Sequence, residues 1–162
     1  MSLSTESAPI LNQIRQILQE HQAMLTCAES CTGGWITKLI TDQPGASTWF
    51  DRGFITYSNE AKHQMLDVPL KLLNQYGAVS QQTVESMATG AIKHSSAEFA
   101  LAVTGIAGPD GGNLTKPVGT VWLAWAGPDS VRSYLRYFTG NRNQIRQASA
   151  KAALEGLIKF LI

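Results

Sequence analysis

Apolar residues recur along this chain with two periods, and each switch between them marks a boundary between a helix and a strand. Ile10, Leu11, Ile14, Ile17 and Leu18 return at helical intervals and predict an amphipathic helix from about Ser7 to His21. Met24 to Cys27 then reads as a short buried strand, and Trp35, Ile36, Leu39 and Ile40 return to helical spacing. After a break at Asp42-Gln43-Pro44-Gly45, the aromatic and β-branched run Trp49 to Tyr57 predicts a second strand. Ser58 is placed to cap the next helix, with Glu60 in its first turn and Lys62 shortly behind. Val68-Pro69 interrupts the pattern before a short helical piece ending near Tyr76. Ser80 opens a helix from Gln81 to about His94, with Val84, Met87, Ala88 and Ala91 on one face.

Glu98 to Thr104 reads as a fully buried strand that runs into Gly105-Ile106-Ala107-Gly108-Pro109-Asp110-Gly111-Gly112-Asn113, the one glycine-dense loop. Val118 to Ala126 and Val131 to Phe138 are strands joined by the hairpin-type Gly127-Pro128-Asp129-Ser130, and Arg142 to Leu161 closes the chain as a helix. About five strands interleaved with about five helices define an α/β class: a mostly parallel sheet with one antiparallel pair near the C-terminus and helices on both faces. In such sheets ligands bind at the carboxyl ends of strands. The segments around Ser30, Tyr57 to Lys62, and Thr104 to Gly112 all follow strands and are expected to build one site.

Composition narrows the function classes. At 162 residues the chain fits one domain, 1–162, and its 44% apolar and 15% charged content suits a compact fold. Thirteen Lys and Arg against twelve Asp and Glu leave a net charge of +1 with no basic run, which excludes a general nucleic-acid surface. No stretch approaches the roughly 20 apolar residues of a membrane span, and Met1 to Pro9 lacks the character of a signal peptide, so the expected location is cytoplasmic. Cys27 and Cys31 read as free thiols; with His21, His63 and His94 they form no metal-ligand spacing, so neither a metal nor a cofactor is expected. Four tryptophans and the apolar strand 118–126 leave room for a subunit interface, and a homodimer is the expected assembly.

The candidate chemistry starts at Ala28-Glu29-Ser30-Cys31-Thr32-Gly33-Gly34, where a strand ends in small polar residues and a helix begins. Ser30 is a candidate nucleophile, and unpaired N–H groups at the helix start are candidate donors to an oxyanion or phosphate. A serine needs a base, and Lys62, its pKa lowered by desolvation, is the candidate. Tyr57 is a candidate proton relay or substrate ligand. Cys31 is the rival nucleophile, since a thiolate is stabilised near a helix N-terminus. The chain has no Ser-x-x-Lys; the Tyr57 to Lys62 spacing is one residue too long for Tyr-x-x-x-Lys, and no GxGxxG follows the first strand. The glycine loop is no Walker A, yet its amides suit close approach to a phosphate or carbonyl, with the Thr104 hydroxyl adjoining. Arg142 and Arg146 open the final helix, where a cation is electrostatically disfavoured and a bound anion would relieve the strain.

Taken together, Ala-Glu-Ser-Cys-Thr-Gly-Gly (28–34), Gly-Phe-Ile-Thr-Tyr-Ser-Asn-Glu-Ala-Lys (53–62), Gly-Ala-Val-Ser (77–80), Ala-Val-Thr-Gly-Ile-Ala-Gly-Pro (102–109), Lys-Pro-Val-Gly (116–119) and Phe-Thr-Gly-Asn-Arg (138–142) resemble the CinA C-terminal family. The resemblance runs from about residue 8 to 160; it implies a three-layer α/β/α sandwich and hydrolysis of the carboxamide of nicotinamide mononucleotide to nicotinate mononucleotide and ammonia. It also implies Ser30 as nucleophile, with Lys62 assisting directly or through Tyr57. Thr32, Gly33 and Gly34, or Gly105, Ile106, Ala107 and Gly108, are then the expected oxyanion donors, and the glycine loop with Thr104 and Arg142 the expected phosphate site. One departure is Gly-Asn-Arg at 140–142 in place of the family's usual Gly-Asp-Arg; another is the lack of the N-terminal molybdopterin-binding-like domain of fused members, so a free-standing amidase is expected. Two other readings stay open at this stage: a catalytically idle nucleotide-binding or assembly domain, and an amidase for another small amide.

Overall fold

Residues 1–162 are described by a computed structural model. Five strands form one sheet in the order β2-β1-β3-β4-β5: β1 Leu25–Glu29, β2 Phe50–Ile55, β3 Phe99–Gly105, β4 Thr120–Ala126 and β5 Val131–Tyr137. β1 pairs parallel with β2 and with β3, whereas β4 is antiparallel to both of its neighbours. Four of the five strands therefore point the same way. The sheet is mixed and mostly parallel in direction, but it contains two antiparallel pairings where the sequence predicts one. The connection after β3, residues 106–119, forms no helix to carry the chain across the sheet, and β4 returns antiparallel.

Alternation along the strands assigns each side chain to one of two cores. Leu25, Cys27, Leu101, Val103, Val121, Leu123 and Trp125 point to the face covered by α1 (Leu3–Glu20), α2 (Trp35–Thr41) and α6 (Arg142–Leu161). Ala28, Ala100, Ala102, Ala124 and Ala126 point to the other face, covered by α3 (Asn59–Leu66), α4 (Leu70–Tyr76) and α5 (Gln81–Lys93). The result is three layers, α/β/α. Each fully buried Leu, Ile or Met contributes about 1.5 to 3 kcal/mol, so the larger first core carries most of the cohesion. On the second face, small residues set the spacing: a Cβ on Gly90 of α5 would lie 2.0 Å from the Leu66 carbonyl oxygen.

The predicted caps hold for α3 and α5, whose leading Ser58 and Ser80 side chains accept from backbone N–H groups, and Asn141 caps α6 in the same way without being singled out as a cap in the sequence. α1 begins four residues earlier than the pattern predicts, capped by Ser2, with Pro9 inside it. β2 is shorter than the aromatic run: Thr56 N–H still reaches the Glu29 carbonyl at 2.8 Å, and Tyr57 has left the sheet. No helix is long and apolar enough to cross a membrane. The shared strand direction brings the chain segments after β1, β2, β3 and β5 to one rim.

Candidate active site

β1 is buried along its whole length and ends in a carboxylate, Glu29, that is itself fully buried. A buried charge needs hydrogen-bond donors. Glu29 accepts from the Thr32 hydroxyl at 2.7 Å, the Ile36 N–H at 2.9 Å, the Thr37 N–H at 3.0 Å and the Thr37 hydroxyl at 2.7 Å. The positive end of α2 is thus filled by the chain's own anion. Of the helix-start amides, those of Ile36 and Thr37 serve Glu29, and Gly33 N–H donates to the Ser30 carbonyl at 3.0 Å.

Ser30 follows Glu29, with its N–H continuing the sheet to the Val103 carbonyl at 3.0 Å. Its hydroxyl oxygen lies 2.9 Å from Lys62 Nζ. Lys62 reaches it from the first turns of α3, which Ser58 fixes by accepting the Ala61 N–H at 3.0 Å. The lysine is 1% exposed and forms no ion pair; its other partner is the Thr56 carbonyl at 2.8 Å. Burial without a carboxylate disfavours the ammonium and pulls the Lys62 pKa down from 10.5 to about 8. Burial acts on Cys31 in the opposite sense, pushing its thiol up to about 12 and Cys27 well above the usual range, so neither is a thiolate near neutral pH.

The loop after β3 stays open. Thr104 donates its hydroxyl to the Ala78 carbonyl at 2.9 Å, and Ile106 N–H is spent on the Thr120 carbonyl at 2.9 Å, while the N–H groups of Ala107 and Gly108 meet no protein acceptor. Gly108 has φ of +77°, and a Cβ there would meet Val118 at 2.5 Å, so the bend requires glycine. Arg142 bridges this loop to the segment after β2, donating to the Gly108 carbonyl and to the Tyr57 hydroxyl, both at 2.8 Å. Tyr57 is 61% exposed and is bonded to neither Ser30 nor Lys62. Arg146, one turn further along α6, donates to the carbonyls of Cys31 and Thr32 at 2.9 and 3.1 Å and lies over the Trp35 ring.

These segments enclose a cleft of about 270 Å³. It brings together nine of the twelve residues singled out from the sequence: Ser30, Tyr57, Lys62, Thr104, Gly105, Ile106, Ala107, Gly108 and Arg142. Thr32, Gly33 and Gly34 are not in its wall, because Thr32 is buried against Glu29 and the two glycines form the turn behind. Cys31, Asn59, Ala78, Val79, Asp110 and Gly111 complete the lining; Cys31 is the rival nucleophile of the sequence, and Asn59, Ala78, Val79 and Asp110 carry no sequence-level assignment as ligands. No group of three or more His, Cys, Asp or Glu is placed to hold a metal ion.

A buried serine beside an unpaired, desolvated lysine in a glycine-walled cleft is the equipment of acyl transfer. Comparison with known proteins gives this chemistry a family: residues 7–161 match the CinA C-terminal domain. The chain belongs to that family. It is 49% identical over 151 residues to the nicotinamide-nucleotide amidohydrolase PncC of Pseudomonas putida, covering 93% of this chain and 94% of the relative. The Escherichia coli protein of the same name is 48% identical over 156 residues, covering 94% and 93%. A solved structure, the competence/damage inducible protein CihA from Agrobacterium tumefaciens, superposes with a TM-score of 0.86 at 46% identity, covering 93% of this chain and 94% of that one. This CinA-family protein is a hydrolase of the amidohydrolase kind.

Glu29 is the supporting residue that motif reading passes over. Its signal is local: an acid ending an apolar strand, with a helix start a few residues on and no other carboxylate near.

Proposed function

We propose that the protein hydrolyses the carboxamide of nicotinamide mononucleotide, giving nicotinate mononucleotide and ammonia. One observation carries the reading: Lys62 Nζ, desolvated and without a counter-charge, lies 2.9 Å from Ser30 Oγ at the wall of the cleft. The amine takes the serine proton as Oγ attacks the amide carbon, forming a tetrahedral oxyanion. The resulting ammonium gives its proton to the departing nitrogen, the C–N bond breaks, and ammonia leaves an acyl-serine. Water then repeats the sequence: Lys62 takes its proton, the hydroxide attacks the acyl carbon, and the acid departs as Ser30 is reprotonated.

Lys62 acts directly in this scheme, and Tyr57 holds Arg142 across the mouth. Arg142 has no acidic partner and stands where the free Ala107 and Gly108 amides face the same cleft, a combination suited to a phosphate. The names of the relatives from Pseudomonas putida and Escherichia coli support a nicotinamide nucleotide as the substrate class.

Ammonia release from nicotinamide mononucleotide, with Ser30→Ala beside the wild type, tests the reading. Release by the wild type and a loss of about 10³-fold or more in the variant is the expected result. Binding of the nucleotide without release would make the cleft an idle nucleotide site, and retained turnover in Ser30→Ala would move the nucleophile elsewhere.

A further inference from the structure

Arg146 lies outside the cleft wall, yet all of its polar contacts go to the turn that carries Ser30. It has no carboxylate partner. Its charge is taken up by two carbonyls, those of Cys31 and Thr32, and by the face of Trp35 at 5.2 Å. The turn makes room for it: Gly33 has φ of +60°, and a Cβ there would lie 3.2 Å from the guanidinium.

A trans peptide sets its N–H opposite its carbonyl, so fixing one end aims the other. The Thr32 carbonyl, drawn to Arg146, turns the Gly33 N–H the other way, and that N–H donates to the Ser30 carbonyl at 3.0 Å. The Ser30 carbonyl, so held, sets the Cys31 N–H in turn. That amide donates to no backbone carbonyl, its only other contact being its own residue's thiol, and Cys31 lines the cleft next to Ser30. The chain of bonds runs from the guanidinium through two peptides to one free donor beside the nucleophile. Each link polarises the next in the same sense, adding positive character to the last N–H.

Resting on the serine-lysine reading above, we infer that Arg146 is a positioning residue that aims and polarises the Cys31 amide as the donor to the oxyanion. The Cys31 side chain takes no part; its backbone does. An oxyanion donor acts on the transition state and little on the bound amide, so its loss appears in kcat.

The test compares wild type with Arg146→Ala and Arg146→Lys in ammonia release from nicotinamide mononucleotide, with Ser30→Ala as the control for the nucleophile. It also measures affinity for pyridine-3-boronic acid, which adds the serine Oγ to give a tetrahedral anion in the same place. Arg146→Ala is expected to lower kcat by about 10²-fold or more with KM within about threefold, and to weaken the boronic acid in parallel. Guanidinium ion added to Arg146→Ala restores part of kcat. Lysine, which cannot fork to two carbonyls, falls between alanine and wild type, and keeps the test open if the alanine variant fails to fold. Unchanged kcat in both variants, or a lowered kcat with undiminished boronic-acid affinity, overturns the inference. Full activity in Ser30→Ala would instead remove the serine reading on which it stands.

Discussion

Two glycine-bearing segments leave neighbouring parallel strands at the same rim, and they are built in opposite ways. The turn after β1, Ser30 to Gly34, is closed on itself: Glu29 holds it from one side through Thr32 and the start of α2, and Arg146 holds it from the other through two carbonyls. The loop after β3, Ile106 to Gly112, leaves the Ala107 and Gly108 amides free and is exposed over Asp110 to Gly112. A helix N-terminus and a run of glycines look alike as sequence, but only donors that the protein does not itself use can serve a ligand: in the turn that leaves the Cys31 amide, in the loop those of Ala107 and Gly108. The closed turn fixes a nucleophile, and the open loop is free to bind.

The sharpest way to break this contrast is to remove the charge packed beside the closed turn. Lys62→Met is expected to lower kcat by about 10³-fold or more, since Ser30 loses the group that takes its proton. In the wild type, activity should rise with pH through about 8, as Lys62 becomes the free amine. Stability moves in the same sense. Between about 8 and 10.5 the unfolded chain holds the Lys62 proton and the folded one does not, so this group makes folding more favourable as pH rises across that window. Below it both states are protonated and the full penalty of a buried ammonium remains. At about 1.4 kcal/mol per pH unit, the stability gained by Lys62→Met at neutral pH should shrink by about 3 kcal/mol on going to pH 10.5. Urea denaturation of both proteins at the two pH values measures this difference. An equal gain at both would place the lysine proton outside the fold's energetics.

Next in size is Glu29→Gln. The amide keeps one oxygen as acceptor, but its NH2 replaces the other and faces groups that are donors already, either the Ile36 N–H and Thr32 hydroxyl or the Thr37 N–H and hydroxyl. The expected loss is about 2 to 3 kcal/mol in unfolding free energy, with kcat lowered because Thr32 and the turn lose their hold. Denaturation midpoints at unchanged slope check it. A loss under about 0.5 kcal/mol would mean that the turn is set by Arg146 alone.

How far such a site can be read in advance depends on whether its partners are local. Ser58 and Ser80 sit one residue ahead of the helices they cap, and α5 was legible from that and from its apolar face, α6 from its apolar spacing alone. Ser30 and Lys62 were legible as strand-end chemistry, but their distance of 2.9 Å depends on β1 and β2 being parallel neighbours, which no short pattern states. Tyr57 illustrates the limit: a tyrosine ending an aromatic run reads as buried or as a relay, whereas the strand stops before it and its hydroxyl meets Arg142, 85 residues away. The second antiparallel pairing was missed for a related reason, since a glycine-rich connection reads as a ligand loop before it reads as a reversal of direction.

The smallest expected effect sharpens the comparison from the open side. Asp110 is exposed, lines the cleft and has no salt-bridge partner, so it faces any anionic substrate across solvent. Two unit charges some 8 Å apart in water repel by about 0.5 kcal/mol, which corresponds to about a twofold effect on binding. Asp110→Asn should therefore lower KM for the nucleotide about twofold at low salt, leave kcat and the melting temperature unchanged, and lose its effect at about 1 M salt. A substitution in a loop that satisfies few internal contacts has little else to disturb. A tenfold rise in KM would mean the reverse: the carboxylate accepts from the substrate's hydroxyl groups, and the open loop is organised around Asp110 as closely as the closed turn is around Glu29.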